Sequence, residues 1–226
     1  ALRAKNDKNI GKGKADNYSD YRKVLDRKDI DVVSIVTPDH WHIKIAVEAL
    51  EAGKHVFCQK PLTLTLEENQ LIRRACEKHR DQVFLVGTQQ RSDRNKFMRA
   101  VNMVQKGVLG KIKHVTVGIN GSPTGGPFPV AEAPKELNWD MWQGQAAARD
   151  YRQRRCHYEF RWWYEYSGGK FTDWGAHHVD IAMWALDKNG AKQGPVEIDG
   201  TNCEHPVEYK DGYATVDDCY NTSHKF

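Results

Sequence analysis

Cysteine is scarce and poorly spaced for bonding. Five residues, Cys58, Cys76, Cys156, Cys203 and Cys219, form an odd set without a CxxC pair. Neither a disulfide framework nor a four-cysteine zinc site is indicated, and a reducing, cytoplasmic setting is the expectation. Cys58 and Cys156 read as buried, unreactive thiols. Long apolar runs are missing too. None approaches the ~20 residues of a membrane span, and the basic opening Ala1–Lys14 has no apolar signal core behind it. No charge of one sign is concentrated: 34 Lys and Arg stand against 30 Asp and Glu, scattered, for a net +4. That argues against a basic nucleic-acid arm or an acidic tail, and it suits a small anionic ligand equally well. Internal repeats and low-complexity tracts are absent.

What is present alternates between two periods. After a short helix over Tyr18–Leu25, with Asn17 or Ser19 as its cap, Ile30–Thr37 is a β-branched run of strand length stopped by Pro38. Ile43, Val47 and Leu50 recur at helical spacing toward Gly53, a residue suited to a left-handed helix end. His55–Cys58 reads as a second strand. Thr65 with Glu68 has the capping-box spacing for a helix running to about His79, and Val83–Val86 reads as a third strand. Strands alternating with helices imply a parallel sheet whose ligands sit outside the carboxyl ends of the strands. Thr37-Pro38-Asp39-His40, Gln59-Lys60-Pro61 and Gly87-Thr88-Gln89-Gln90-Arg91 all fall at such ends.

Beyond about Asp93 the character changes, dividing the chain into 1–92 and 93–226. A helix through Phe97, Val101 and Val104 should end at Gly107 or Gly110, and Ile112–Gly118 alternates as a half-exposed strand. A long loop over Asn120–Asn138 holds Pro123, Pro127, Pro129 and Pro134. The aromatic stretch Trp139 to Tyr166 is core by default. A helix over Gly175–Leu186 follows, then strand fragments such as Thr215-Val216.

Two segments carry a resemblance. TPDHWHIKIAVEALEAGKHVFCQKPLT (Thr37–Thr63) and GGKFTDWGAHHVDIAMWAL (Gly168–Leu186) resemble the two signatures of the glucose-fructose oxidoreductase and inositol dehydrogenase family, in the family's order and separation. The matching register runs from about Tyr18 to Leu186. The resemblance implies a Rossmann-like parallel α/β domain followed by an α+β domain with a large open, mainly antiparallel sheet. It also implies NAD or NADP as cofactor, a sugar or polyol substrate, and a homodimer or homotetramer. Two departures stand out. Gly11-Lys12-Gly13 lacks the strand and third glycine of a dinucleotide fingerprint, so the family's first strand and glycine turn are expected upstream of Ala1 and the rest of its second sheet beyond Phe226. Gln59 stands where the family usually has Glu.

Carried over residue by residue, the resemblance makes Lys60 the group that holds and polarises the reacting oxygen. It makes His177 the general acid/base and Asp173 a substrate ligand or orienter of the histidine. Thr37, Pro38, His42, Gln59, Pro61 and Gln90 would line the nicotinamide side, and Arg91 would meet substrate or phosphate charge. These are the residue types hydride transfer needs: a proton acceptor and a donor for developing alkoxide charge. Asp180 reads equally as a functional carboxylate or a helix-face partner of a cation. A metal site among His40, His42, His177, His178, Asp173 and Asp180 is disfavoured, because no pair has His-x-x-x-His spacing. Alternatives to a dehydrogenase are a glycosidase using bound NAD for transient oxidation and a non-catalytic binding subunit.

Overall fold

A computed structural model describes residues 15–188, 190 and 193–226; the Gly11-Lys12-Gly13 segment lies outside them. Helix α1 (Arg22–Leu25) precedes strand β1 (Val32–Ile35), helix α2 (His42–Glu51), strand β2 (His55–Gln59), helix α3 (Leu66–Lys78) and strand β3 (Phe84–Gly87). The strands form one parallel sheet in the order β1-β2-β3, with Ile35 opposite Cys58 and Gln59 opposite Gly87. Parallel pairing follows because each connection carries a helix back across the sheet. Ile43, Ala46, Ala49 and Leu50 of α2 are almost wholly buried, and they pack with Val33, Ile35, Val56, Cys58 and Ile72 into the core of this half.

Local rules explain the helix ends. Gly53 takes φ +77° after α2. At α3 the Thr65 hydroxyl accepts from the Glu68 N–H, while the Glu68 carboxylate accepts from the Thr65 N–H. Helix α1 departs from expectation: neither Asn17 nor Ser19 caps it. Its first N–H, of Arg22, bonds the Asp20 carboxylate, whose side chain also holds the Arg22 guanidinium.

The second half contains α4 (Phe97–Gln105), α5 (Trp139–Gln143), α6 (Gly169–Asp173), α7 (Gly175–Ala185) and a small antiparallel pair, β4 (Tyr209–Lys210) with β5 (Tyr213–Ala214). Its core is aromatic: Phe160, Trp162, Trp163, Tyr166 and Tyr220 cluster together, with Trp139 and Trp142 against them. Ile112–Gly118 is not a strand. Its alternation supplies β propensity, but no strand pairs with it among the described residues, and Val115 and Val117 remain exposed. Thr215-Val216 lies just past β5, although the Thr215 N–H continues the ladder to the Glu208 carbonyl. Among the described residues no helix is long and apolar enough to cross a membrane.

Candidate active site

The carboxyl ends of β1 and β2 deliver their polar residues to one rim, as parallel sheets do. There a cleft of about 440 Å³ is lined by Thr37, Pro38, Asp39, His42, Gln59, Lys60, Pro61 and, from the other half, Phe160, Arg161 and Asp173. A larger hollow of about 800 Å³, beside Tyr164, His205 and Tyr209, contains none of the strand-end residues. Size alone therefore does not locate the chemistry.

Lys60 follows β2 directly and reaches into the cleft. Its Nζ donates to the Asp173 carbonyl at 2.6 Å and to Asp173 Oδ1 at 2.7 Å, both side chains being largely buried. An ammonium has three N–H donors, so one remains for a ligand oxygen. Asp173 is the last residue of α6, a helix whose start is fixed by Gly169 at φ +70°, where an added Cβ would fall 2.7 Å from both Ser122 Oγ and Thr222 Cβ. The Arg161 guanidinium lies 3.7 Å from the same carboxylate oxygen.

His42 lines the cleft but is not free to bind a cofactor through its ring. Its Nδ1 is 2.7 Å from the Pro61 carbonyl and its Nε2 3.0 Å from the Thr37 carbonyl. Burial lowers its pKa, and a neutral imidazole carries a single N–H, so the ring donates to one of these two carbonyls and packs its other nitrogen against the second. The Gln59 amide oxygen accepts from the Lys60 N–H at 3.2 Å. Thr37 Oγ1 and Gln90 Oε1 are buried polar atoms without a partner among the described residues, hydrogen-bonding capacity of the kind a bound nicotinamide amide could use.

His177, Gln90 and Arg91 are not on the wall of this cleft. His177 sits in the first turn of α7, buried, with Nδ1 unpartnered. Burial lowers its pKa first and the charge of Lys60 second, so it is neutral at pH 7. His178 stacks on Trp174 at 5.8 Å. Arg91 grips Asp180 through two bonds of 2.7 and 2.8 Å and lies over the Trp184 ring, which uses the Nε–Nη2 edge of its guanidinium and two of its five N–H donors. Asp180 is thus the cation's partner. No three His, Cys, Asp or Glu side chains gather as a metal site among the described residues.

Arg161 and Asp39 line the cleft without a role expected from the sequence, although Asp39 belongs to the strand-end cluster Thr37-Pro38-Asp39-His40. Arg161 arrives from a 3-10 helix, His157–Trp162, which has no sequence signature. Asp39 lies at the β1 end, where burial raises its pKa to about 7 against the opposing pull of the Ser167 hydrogen bond and Arg161. Its position after Thr-Pro at a strand end was the available signal.

Residues 5–88 match the model of an oxidoreductase family, NAD-binding Rossmann fold, and residues 98–218 match that family's C-terminal alpha/beta domain. A curated relative, glycosyl hydrolase family 109 protein 1 of Shewanella sp. (strain ANA-3), is 37% identical over 109 residues, which are 43% of this chain and 21% of the relative. The chain thus spans about a fifth of the length of such curated relatives. Among solved structures, an NAD-binding protein from Listeria innocua superposes with a TM-score of 0.54 at 26% identity, over 80% of this chain and 43% of that one. Myo-inositol 2-dehydrogenase from Lactobacillus plantarum gives 0.44 at 32% identity, over 49% and 31%.

Proposed function

The chain belongs to the Gfo/Idh/MocA family of NAD-binding oxidoreductases, and on that premise we propose that it moves a hydride between the nicotinamide and a hydroxyl-bearing carbon of a sugar or polyol. The observation that carries the reading is Lys60: an ammonium at the end of β2, anchored by two bonds to Asp173 and with a third donor to spare. When bound, NAD supplies the hydride acceptor. Lys60 holds the reacting oxygen and stabilises the charge that develops on it as the proton leaves. Asp173 keeps the ammonium pointed into the cleft. His177, neutral because it is buried near Lys60, is the base that receives the hydroxyl proton. Thr37 offers its hydroxyl to the nicotinamide side, with Gln90 behind the cleft wall, and the halves divide near residue 92 with the cleft at their junction. A carbohydrate substrate is supported by the curated relatives, which are named as glycosyl hydrolases.

That same likeness favours a second reading, a glycosidase that oxidises its substrate transiently and regains its cofactor unchanged. One experiment separates them. The full-length protein and its Lys60→Ala variant are titrated with NAD by calorimetry, then assayed for NADH release on a sugar and polyol panel and for hydrolysis of aryl glycosides. NADH release lost by a factor of roughly 100 or more in the variant, with NAD affinity kept, is the expected result. Hydrolysis without net reduction moves the conclusion to the glycosidase. If the wild type binds no nucleotide, both readings fail.

A further inference from the structure

The turn Asp39–Trp41, between β1 and α2, has no chemical role in the reading above. Yet all three of its side chains reach the C-terminal half. Ser167 Oγ donates to Asp39 Oδ2 at 2.5 Å, while His40 Nε2 and Trp41 Nε1 each lie 2.9 Å from the Trp142 carbonyl. Asp39 is 6% exposed and Ser167 wholly buried, so water does not compete for their bond. Burying a carboxyl costs free energy, and an apolar pair of similar shape would hold two surfaces together at lower cost. The polar pair adds direction.

That direction leads to Lys60. Ser167 opens the Ser167-Gly168-Gly169 turn into α6, and the turn has no lateral slack. A Cβ on Gly168 would fall 2.4 Å from the Thr172 methyl, and one on Gly169 would strike Ser122 and Thr222. Four residues after Gly169 the helix ends at Asp173, which holds the Lys60 ammonium. Lys60 follows β2, β2 pairs with β1, and β1 leads back to Asp39. The chain of contacts is therefore a closed ring, with α6 tied at its start to the end of one strand and at its finish to the end of the next. The ring borders the cleft's charges: Asp39, Lys60, Arg161 and Asp173 all line it.

We infer that Asp39 is a positioning residue for the reaction: through Ser167 it fixes the depth at which α6 presents Asp173 and so the direction in which Lys60 points. The inference takes only the importance of Lys60 from the proposed function. The test is trace labelling of amines at pH 8 in the full-length protein, reading the Lys60 peptide by mass spectrometry against exposed Lys78 as internal standard. Ser167→Ala and Asp39→Ala should raise the Lys60 labelling rate several-fold. Asp39→Asn, which loses the charge beside Lys60 as Asp39→Ala does but keeps an acceptor for the Ser167 hydroxyl, should label clearly more slowly than Asp39→Ala, a partial rescue that general loosening of the fold would not produce. Should Asp39→Ala fail to fold, Ser167→Ala, the loss of a single oxygen, decides. Unchanged Lys60 labelling in folded Ser167→Ala overturns the inference, as does equal acceleration in Asp39→Asn. Turnover measured in parallel should fall in Ser167→Ala by about ten- to a hundred-fold, the scale of a small misplacement of a reacting group. A wild type without turnover would remove the proposed function and leave the labelling result to decide the role of Asp39.

Discussion

Asp39 and His40 are neighbours whose titrations oppose each other, so the pH dependence of stability should separate when either is replaced. Burial raises the Asp39 carboxyl from 3.8 to about 7. Between about pH 4 and 7 the folded state therefore binds more protons at this position than the unfolded state, and stability falls as pH rises through that window. Burial lowers the His40 imidazole from 6.5 to about 4, with the Trp142 carbonyl opposing and the charge of His42 reinforcing. Here the unfolded state binds more protons, and stability rises between about pH 4 and 6.5. At ~1.36 kcal/mol per pH unit of displacement the two contributions are at most about 4 and about 3 kcal/mol, and they nearly cancel. Urea unfolding of the full-length protein, followed by tryptophan fluorescence across this range, measures the balance. Relative to wild type, Asp39→Asn should gain stability as pH rises from about 4 to 7. His40→Gln, which keeps a donor for Trp142, should lose it as pH rises from about 4 to 6.5. Other ionisable groups are common to all three proteins and drop out of the differences. Parallel pH profiles for the three would refute the reasoning.

Gly144 has φ +56°, and a Cβ there would fall 2.2 Å from Trp41 Cζ2. Gly144→Ala should cost about 3 kcal/mol from backbone strain and overpacking together, read as a lowered thermal midpoint; a loss below about 1 kcal/mol would contradict the packing described. Removing one side of the α3 capping box with Thr65→Ala should cost about 1 kcal/mol in urea without altering nucleotide affinity. The partly buried, two-pronged Arg91–Asp180 pair should show a coupling of about 1 kcal/mol in a double-mutant cycle of Arg91→Lys and Asp180→Asn, because lysine keeps the charge but not the fork. Additive effects would mean the pair contributes nothing beyond its separate groups.

Local signals made the first half legible. β-branched runs stopped by Pro38, helical apolar spacing ended by Gly53, and Thr65 with Glu68 each depend on residues close in sequence, and each appears where its physics placed it. Lys60 and Asp173, 113 residues apart, could be joined only because two motifs pointed to one site. Where partners decide, the sequence was mute. Ile112–Gly118 alternates correctly but finds no strand to pair with. The partner of Arg91, Asp180, lies 89 residues away and no local pattern announces it. His42 has the chemistry of a ligand contact, yet both its nitrogens face backbone carbonyls, of which a neutral ring can serve one. One signal was present and passed over: Asp211-Gly212, with φ values of +52° and +85°, is the turn that joins β4 to β5.

Gln59 bears on how Lys60 is kept in charge balance. Its amide oxygen folds back onto the Lys60 N–H, and the opposite residue on β3 is Gly87, where a Cβ would come within 2.7 Å of that oxygen. The glycine leaves room for the glutamine to lie at the strand end, and being neutral it gives Lys60 no counter-charge from its own strand. A carboxylate at this position would offer the ammonium a local partner, in competition with Asp173, and add a third acidic group to a rim that already holds Asp39 and Asp173. With glutamine, the carboxylate in direct ion-pair contact with Lys60 among the described residues is Asp173 of α6. The same contact, made across the two halves of the chain, therefore both balances the ammonium's charge and aims it. On the role inferred for Asp39, its hydrogen bond with Ser167 sets where α6 presents the Asp173 carboxylate.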